Sequence, residues 1–327
     1  MAEMNSKNPG NFTPRTTGKN KKRKINKDGL LALLFVVLVA IIVIVLVVFL
    51  VKAIVGGSKN PDVTLPPDSG TQEPTGGQTP STPTEDYSTV SVSYSEMKNG
   101  NLILVDSQKL FTGDTTNIVS LYNQPGFKTA YRLKNASIAL NADVINNFST
   151  LLISARQAFA GSLNANDYFL IYSAANSKEA PADRSNEECA GYSFYIRVTL
   201  ANGKTRRLSD AEQTWFANNC SKYGFVLRYA EDKVAETGMD ADLYTFRYVG
   251  IPHSTYMYEN NLCLEEYLEL IKNYSYSSPL KVTSGAKQYE IYYAKVNGIS
   301  TDINVPLNSA YEISGNNYDG YIVTITK

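Results

Sequence analysis

Hydrophobic residues form one uninterrupted run near the start of the chain. Residues 30–51 are 22 consecutive apolar residues without a charge. At about 1.5 Å per residue, a helix of this length spans roughly 33 Å, which is enough to cross the hydrocarbon core of a bilayer. The core of a secretory signal peptide is shorter, about 7–15 residues, and ends at a small-residue cleavage site. No such site follows residue 51, so we predict an uncleaved transmembrane helix over residues 29–53.

The segment before this helix is strongly basic. Residues 1–28 carry eight Lys or Arg and two acids, whereas the formal net charge of the whole chain is zero. The cytoplasmic flanks of membrane helices are enriched in Lys and Arg, so we expect a basic cytoplasmic tail. The C-terminal part is then extracellular, as in a single-pass cell-membrane protein of a Gram-positive bacterium. A basic run can also bind nucleic acid, but beside a membrane helix contact with anionic lipid explains it better, and we expect no nucleic-acid partner.

A polar linker follows the predicted membrane helix. Residues 54–88 contain six prolines among Gly, Thr, Ser and acidic residues. Such a composition cannot bury a core and predicts disorder. An anchor, a stalk and a folded domain are typical of bacterial envelope proteins, and equally of tethered receptors and adhesins. Beyond the linker we predict a main domain over residues 89–274 and a small C-terminal β subdomain over residues 275–327.

The globular part alternates between helical and extended patterns. Residues 141–160 carry apolar side chains at helical spacing and are followed by Gly161, which predicts a helix. Residues 192–200 alternate between apolar and polar side chains like a strand. Asn202-Gly203 predicts a hairpin turn directly after that strand.

Another helix is predicted to begin at a capping box made by Ser209 and Glu212 and to end at Gly224. This order of elements indicates an α+β fold, with helices around an antiparallel sheet. Further elements are predicted from short apolar segments: strands at 101–106, 167–173, 225–229 and 244–249, a helix at 261–273, and subdomain strands at 289–293, 302–305 and 321–325.

Histidine and cysteine counts exclude several kinds of site. His253 is the single histidine, and the chain has three cysteines. A zinc site with two histidines, a four-cysteine zinc site, an iron–sulfur cluster and a dense disulfide framework therefore cannot form within one chain. Catalysis by a histidine base is possible only through His253, for which a capped loop or a helix start is the ordinary explanation.

Several strings resemble the VanY-like zinc D-alanyl-D-alanine carboxypeptidases. They are Tyr223-Gly-Phe-x-x-Arg-Tyr229 within residues 215–229, Phe246-Arg-Tyr-Val-Gly250, and residues 169–177. Residues 261–267 and 313–317 are similar to clostridial members that have a small C-terminal extension. The resemblance covers roughly residues 99–327, and it implies the D,D-carboxypeptidase fold.

The resemblance also implies a specific chemistry. The family binds zinc through His and Asp of a Ser-x-His-x-x-Gly-x-Ala-x-Asp motif and through His of Glu-Pro-Trp-His. The Glu of the second motif is the general base for zinc-bound water. An Arg in a Tyr-Arg-Ser turn holds the terminal carboxylate of the D-Ala-D-Ala end of a peptidoglycan stem.

None of these functional residues is present at the matching position of this chain. We align the family motifs with this chain at three places: Gly191, residues 246–250, and Ser173 with Ser177. The zinc positions hold Glu188 (or Glu187 if the alignment shifts by one), Tyr195 and Thr245, the base position holds Asp242, the Trp position holds Tyr244, and the substrate Arg position holds Asn176.

This pattern predicts a degenerate active site. Zinc prefers thiolate, imidazole or carboxylate ligands, and only Glu188 offers one of these at a ligand position. We therefore expect no catalytic residue, metal or cofactor. The predicted protein is a pseudoenzyme that binds a peptidoglycan stem peptide or regulates a wall enzyme. The alternative is a divergent but active metallo-carboxypeptidase that uses zinc at a rearranged site with Glu188 and Asp242. The predicted ligand groove is formed by Asn176, Glu188, Tyr195, Asp242, Tyr244 and Thr245.

Three further patterns leave alternatives open. An oxygen-rich calcium site could be formed by Asp183, Glu187, Glu188 and Asp242, although solvated acids are the simpler explanation. Ser278-Pro-Leu-Lys281 matches the Ser-x-x-Lys nucleophile motif, but the proline and the following strand pattern disfavour a helix there. Cys220 and Cys263 could form a disulfide or remain buried thiols.

Overall fold

The computed structural model describes residues 87–327, so the predicted tail, membrane helix and most of the linker lie outside the described residues. Within the described range, no helix is both long and apolar enough to cross a bilayer. The strands are β1 (Tyr87–Ser93), β2 (Ile118–Ser120), β3 (Tyr131–Leu133), β4 (Ile138–Asn141), β5 (Tyr168–Ser173), β6 (Ala175–Asn176), β7 (Ser193–Thr199), β8 (Thr205–Arg206), β9 (Phe225–Tyr229), β10 (Asp242–Tyr248), β11 (Leu280–Ser284), β12 (Lys287–Lys295), β13 (Ser300–Pro306), β14 (Ala310–Gly315) and β15 (Gly320–Thr326). The α-helices are α1 (Ile145–Ala158), α2 (Asp210–Asn219), α3 (Val234–Thr237), α4 (His253–Glu259) and α5 (Leu264–Ile271).

A central sheet with the strand order β3-β5-β7-β10-β9 forms the middle of the molecule, and β8 pairs with β7. All of its pairs are antiparallel except β3 with β5, which is parallel. Helices α1 and α2 pack on one face through aromatic side chains. Phe148 lies 5.2 Å from Phe194, and Phe216 lies 5.3 Å from Phe169, between ring centroids. Burial of these large rings stabilises the layered arrangement, and it leaves the other face of the sheet for the site.

Several local predictions are confirmed. Helix α1 lies within the predicted range 141–160, and β5 and β7 match the predicted strands within a residue at each end. The side chain of Ser209 accepts from the Glu212 amide while the Glu212 carboxylate accepts from the Ser209 amide, which is the predicted capping box. Gly224 adopts φ +83°, a left-handed conformation that ends the helical turn and that favours glycine.

The predicted strand at residues 101–106 is wrong, although Leu102, Ile103 and neighbouring side chains are buried as expected. The backbone there pairs with side chains and loops instead of a neighbouring strand. Arg247 Nη2 donates to the Ile103 carbonyl at 2.8 Å, and the Leu102 amide donates to Ser314 Oγ at 3.0 Å. Because these backbone groups already have side-chain partners, they do not pair with a neighbouring strand.

The C-terminal part is a β structure, as predicted. Strands β12, β13 and β15 contain the predicted segments, and β11 and β14 complete a sheet with the order β11-β12-β15-β14. Strand β1 pairs antiparallel with β13, so the first described strand joins this part of the molecule. The described chain is therefore α+β with antiparallel sheets, and the β3/β5 pair is the departure from the predicted all-antiparallel pairing.

The single histidine, His253, forms hydrogen bonds that join separate parts of the fold. His253 is the first residue of α4, its Nδ1 lies 2.6 Å from Tyr267 Oη on α5, and its Nε2 lies 3.0 Å from Thr324 Oγ1 on β15. Burial lowers the pKa of His253 to about 3, so the imidazole is neutral. It links the helical region to the C-terminal β region, and it lies outside the cleft described below.

The three cysteines are buried free thiols, so the Cys220–Cys263 disulfide is not formed. Burial raises the pKa of Cys189 to about 11 and the pKa values of Cys220 and Cys263 to about 12. Thiols of this kind are unreactive. Ser278 lies in a turn before β11 and Lys281 lies within that strand, so the Ser-x-x-Lys match is not helical.

Candidate functional site

An open cleft of about 760 Å³ lies on the face of the central sheet opposite α1 and α2. Four predicted site residues line it together: Glu188, Tyr195, Asp242 and Thr245. Their elements bring them to one place because β7 and β10 are neighbours, with Tyr195 directly opposite Thr245 in the antiparallel register. The cleft is rich in acids, and the acidic residues that line it are Asp106, Asp183, Glu187, Glu188, Glu236, Asp242 and Glu265.

Asp242 and Thr245 interact with each other at the floor of the cleft. The Thr245 hydroxyl donates to Asp242 Oδ2 at 2.7 Å, and Asp242 Oδ1 accepts from the Tyr244 amide at 2.9 Å. A register shift between Asp242 and Phe246 marks an irregularity at the start of β10. This local break brings Asp242 within reach of Thr245, three residues further along the same strand. Both side chains are therefore held by internal hydrogen bonds.

Glu188 lies on a single 3₁₀ turn, Glu187–Ala190, between Asn186 and Gly191. Ser173 Oγ donates to Glu188 Oε1 at 2.5 Å. Burial raises the pKa of Glu188; the Ser173 hydrogen bond opposes this, and the negative charges of Glu187 and Asp242 add to it. Glu188 is therefore a carboxyl that is more easily protonated than an ordinary glutamate.

Tyr195 is the central ring of a row of three tyrosines. Its centroid lies 6.0 Å from Tyr172 on β5 and 5.9 Å from Tyr244 on β10. Burial raises the pKa of Tyr195, and the charge of Asp242 raises it further, so the phenol keeps its proton at neutral pH. Tyr195 brings the row to the cleft, while Tyr172 and Tyr244 pack on either side of it.

An ionic cluster forms part of the cleft lining, and we define it as Glu187, Arg228, Arg247 and Glu265. Glu187, Arg228 and Arg247 are buried, Glu265 is partly exposed, and all but Arg247 line the cleft. Arg228 Nε contacts Glu187 Oε2, and its two terminal nitrogens donate to the two Glu265 oxygens at 2.9 and 2.7 Å. Arg247 Nη1 lies 3.5 Å from Glu187 Oε1. Ser193 Oγ also donates to Glu187. Each charge has an opposite charge beside it, as a buried ion requires.

The electrostatics of Glu187 follow from this cluster. Burial by itself would raise the pKa of Glu187, but the charges of Arg228 and Arg247 outweigh it and hold the pKa below its ordinary value. Glu187 is therefore committed to the arginines. The two candidates for the first zinc position thus have different partners: Glu188 contacts Ser173, and Glu187 is bonded to the arginines.

Two predicted groove residues lie elsewhere. Asn176 is exposed on β6, where it pairs with Ile138, and it lines a separate cavity of about 230 Å³. Tyr244 does not line the cleft directly, but its ring packs against Tyr195 and the core. The sequence could not place Asn176 because β6 is only two residues long and joins a small three-stranded sheet with β4 and β2.

The predicted oxygen-rich metal site is not assembled. Among the residues that the structure describes, no group of three or more His, Cys, Asp or Glu side chains is arranged to hold a metal ion. The reason is visible in the contacts: Glu187 is paired with arginines, and Asp183 accepts from the Ser185 amide and hydroxyl.

The sequence did not predict three residues that contact the acids of the cleft. Ser173, used only as an anchor for alignment, proves to bond Glu188. Arg228 and Arg247 were part of the strings that carried the family resemblance, yet no role was predicted for them. A buried arginine in the middle of an alternating strand pattern is the signal that was available, because such a residue requires an acidic partner.

Comparisons with known proteins support the resemblance. No protein-family model matches the chain. A D-alanyl-D-alanine carboxypeptidase of Enterococcus faecium is 31% identical over 239 residues, covering 70% of this chain and 76% of that protein. The bifunctional D-Ala-D-Ala dipeptidase and carboxypeptidase VanXYC of Enterococcus gallinarum is 46% identical over 52 residues, 16% of this chain and 27% of that one.

Among solved structures, the vancomycin resistance D,D-dipeptidase VanXYg, determined in complex with a D-Ala-D-Ala phosphinate analogue, has a similar fold. The TM-score is 0.59 at 25% sequence identity, and the match covers 74% of this chain and all of that one. The extent of the Enterococcus faecium match, together with the shared fold, establishes the relationship. The chain belongs to the VanY-like D-alanyl-D-alanine carboxypeptidase family.

Proposed function

We propose that this protein is a zinc-free member of the family that binds peptidoglycan stem peptides in the cleft and does not hydrolyse them. It is anchored in the cell membrane through residues 30–51, with the described domain on the outside. The observation that carries the proposal is the hydrogen bonding at the family's zinc and base positions. Thr245 donates to Asp242, and Glu188 accepts from Ser173, so these groups satisfy one another.

The residues present do not fit a zinc ion. Zinc is held by anionic or imidazole ligands, and a catalytic site has three of them. Thr245 is a neutral hydroxyl, and the Tyr195 phenol has a raised pKa and keeps its proton at neutral pH. Glu188 is the one carboxylate at a zinc position. We therefore derive no step through a metal, and the chemistry that remains is recognition by hydrogen bonds and aromatic surface.

The ligand class is supported by the relatives. The Enterococcus faecium protein is a D-alanyl-D-alanine carboxypeptidase, and the VanXYg structure contains an analogue of D-Ala-D-Ala. The cleft of this chain lies where the strands carrying the family positions meet, and its volume of about 760 Å³ is of the size found for ligand sites. The tyrosine row provides surface for a peptide chain. A stem peptide ending in D-Ala-D-Ala is accordingly the expected ligand.

Metal content and peptide turnover together test the proposal. We expect the purified full-length protein to contain no stoichiometric zinc and to release no D-alanine from a pentapeptide, while binding that peptide. A matched variant, Glu188→His/Tyr195→Asp/Thr245→His, recreates the family's ligand types and is expected to gain zinc. One zinc per wild-type chain, with D-alanine release abolished by a chelator, would overturn the proposal.

A second candidate is a divergent but active carboxypeptidase, which is the activity of the relatives. The raised pKa of Glu188 beside Asp242 favours it, because such pairs divide acid and base roles. In that case Glu188→Gln and Asp242→Asn would each abolish D-alanine release. D-alanine release that survives both substitutions would exclude catalysis by Glu188 and Asp242. If the wild type releases no D-alanine, the protein is not a carboxypeptidase and the peptide-binding function stands.

A further inference from the structure

Two cations beside the cleft have no acidic partner. Lys134 follows β3, and its Nζ lies 3.7 Å from the Tyr172 ring centroid. The guanidinium carbon of Arg197 on β7 lies 5.2 Å from the same centroid. In the part of the chain that the structure describes, neither cation forms an ion pair, and the buried Arg197 Nε has no hydrogen-bond partner. Both positive charges are therefore available to a ligand.

Tyr172 is adjacent to a residue that lines the cleft. Tyr172 packs against Tyr195, which lines the cleft, and Tyr195 and Arg197 lie two residues apart on the same face of β7. Lys134 is fixed next to β5 because its amide donates to the Ile171 carbonyl at 3.0 Å. The backbone thus holds both cations at one end of the tyrosine row.

Both cations lie on the Tyr172 side of Tyr195, whereas the other side carries acids together with Arg207, which lies 5.4 Å from the Tyr244 ring centroid. Glu188 and Asp242 lie on the cleft side, and the lining arginine, Arg228, is neutralised by Glu187 and Glu265. A carboxylate in the cleft would meet two uncompensated negative charges. A carboxylate beside Lys134 and Arg197 would meet two positive ones, so the field favours an anionic group at that end.

We propose that Lys134, Tyr172 and Arg197 form a carboxylate-binding site for the C-terminus of a peptide whose preceding residues lie in the cleft. This inference rests on the proposed function and specifies which end of the ligand is recognised, and where. Asn176, at the family's substrate-arginine position, is exposed over a different cavity and does not take part. Carboxylate recognition has moved from β6, in the small three-stranded sheet, to the β3/β5/β7 part of the central sheet.

The chemistry of the three groups matches a carboxylate. A guanidinium presents paired N–H donors to two oxygens, an ammonium adds a point charge, and a phenol adds an O–H donor. Hydrogen bonding and charge from Lys134, with Arg197 adding to them, lower the pKa of Tyr172.

Binding of a peptide with a single carboxylate tests the site. The probe is Nα,Nε-diacetyl-L-Lys-D-Ala-D-Ala, as the free acid and as the C-terminal amide, titrated calorimetrically into the full-length protein. We expect the free acid to bind about tenfold more tightly or better, because charge-assisted hydrogen bonds discriminate at this level. Lys134→Gln and Arg197→Gln should each reduce the preference, and the double variant should abolish it.

Arg132→Gln is the matched control. It removes one positive charge from the same strand, two residues before Lys134, where Arg132 stacks on Tyr168 at 3.6 Å. This variant should keep the preference for the free acid. Equal affinity for acid and amide in the wild type, or a preference that survives in the double variant, would overturn the site.

The outcomes also separate this site from the proposed function. If acid and amide bind equally and Tyr195→Ala abolishes both, the cleft binds peptide and only the carboxylate site is wrong. If neither peptide binds, the proposed function and the carboxylate site are both wrong. Lys134→Arg keeps the charge and should restore the preference that Lys134→Gln loses.

Discussion

Glu187 and Glu188 are neighbours in sequence, yet they belong to regions with opposite electrostatics. Glu187 enters the buried ionic cluster, where two arginines hold its pKa below the ordinary value. Glu188 faces the cleft, where burial raises its pKa and nearby carboxylates add to the effect. The 3₁₀ turn that contains both residues leaves the Glu187 side chain buried and the Glu188 side chain partly exposed. Whether a partly buried carboxylate is charged thus depends on its partners more than on its burial.

The contrast between Glu187 and Glu188 also distinguishes the residues that stabilise the fold from the residues that line the candidate site. The strings that carry the family resemblance contribute Arg228 and Arg247, and both belong to the ionic cluster. Glu188, Tyr195, Asp242 and Thr245 line the same cleft and form no ion pair with these arginines among the described contacts. A family can therefore keep its scaffold, including buried charges that are costly to remove singly, while the surface of its cleft changes.

The largest expected effect comes from breaking the buried cluster. Glu187→Gln leaves Arg228 and Arg247 without their shared carboxylate, and removing one partner of a buried ion pair costs about 3–5 kcal/mol. Glu188→Gln, at the partly exposed cleft, should change the free energy of unfolding by less than about 1 kcal/mol. Urea unfolding of both variants at pH 7 measures this difference. Equal losses in the two variants would remove the distinction between cluster and cleft.

His253 sharpens the comparison because it is buried without a counter-charge. Its pKa falls from 6.5 to about 3, so the unfolded chain takes up a proton below pH 6.5 while the folded chain does not. The stability is fully present above pH 6.5 and decreases as the pH falls from 6.5 toward 3, by about 2 kcal/mol at pH 5. Unfolding free energies of wild type and His253→Gln between pH 5 and 8 provide the measurement. In the variant, the unfolding free energy should no longer show the part of its decrease below pH 6.5 that His253 causes. An unchanged pH dependence would show that His253 does not titrate as described.

Local elements of the fold were accessible from the sequence, since their signals are short-range. The capping box at Ser209, the hairpin at Asn202-Gly203 and helix α1 each depend on residues within a few positions of one another. Residues 101–106 have the apolar pattern of a strand, but their backbone partners are Arg247 and Ser314. No local pattern reveals partners more than a hundred residues away.

The site was accessible only in part, for the same reason. Glu188, Tyr195, Asp242 and Thr245 do line one cleft, because Tyr195 and Thr245 are opposite each other on β7 and β10 and the 3₁₀ turn with Glu188 precedes β7. Asn176 was misplaced because its short strand joins another sheet. The pairing of Lys134 with Tyr172 arises from the parallel β3/β5 contact, whose strands are more than thirty residues apart in the chain.

A smaller effect is expected in the pH dependence of the two glutamate variants. The lowered pKa of Glu187 stabilises the folded state above the ordinary glutamate pKa near 4.5, and this contribution is lost as the pH falls. The raised pKa of Glu188 acts in the opposite direction, so its cost to stability grows as the pH rises above 4.5. Between pH 4 and 7, Glu187→Gln should flatten the rise of stability with pH and Glu188→Gln should steepen it. Changes of the same sign would contradict the assignment of the two residues to different environments.

The smallest expected effect concerns the hydrogen bond from Ser173 to Glu188. Because this bond favours the charged carboxylate, Ser173→Ala should raise the pKa of Glu188 further while changing the free energy of unfolding by only about 1 kcal/mol. Carbon-detected NMR titration of the Glu188 carboxyl in wild type and variant measures the shift. Glu187, which has no contact with Ser173 among its described partners, serves as the internal reference in the same spectra. A Glu188 titration that is unaffected by the substitution would show that burial and the neighbouring acids alone determine its protonation.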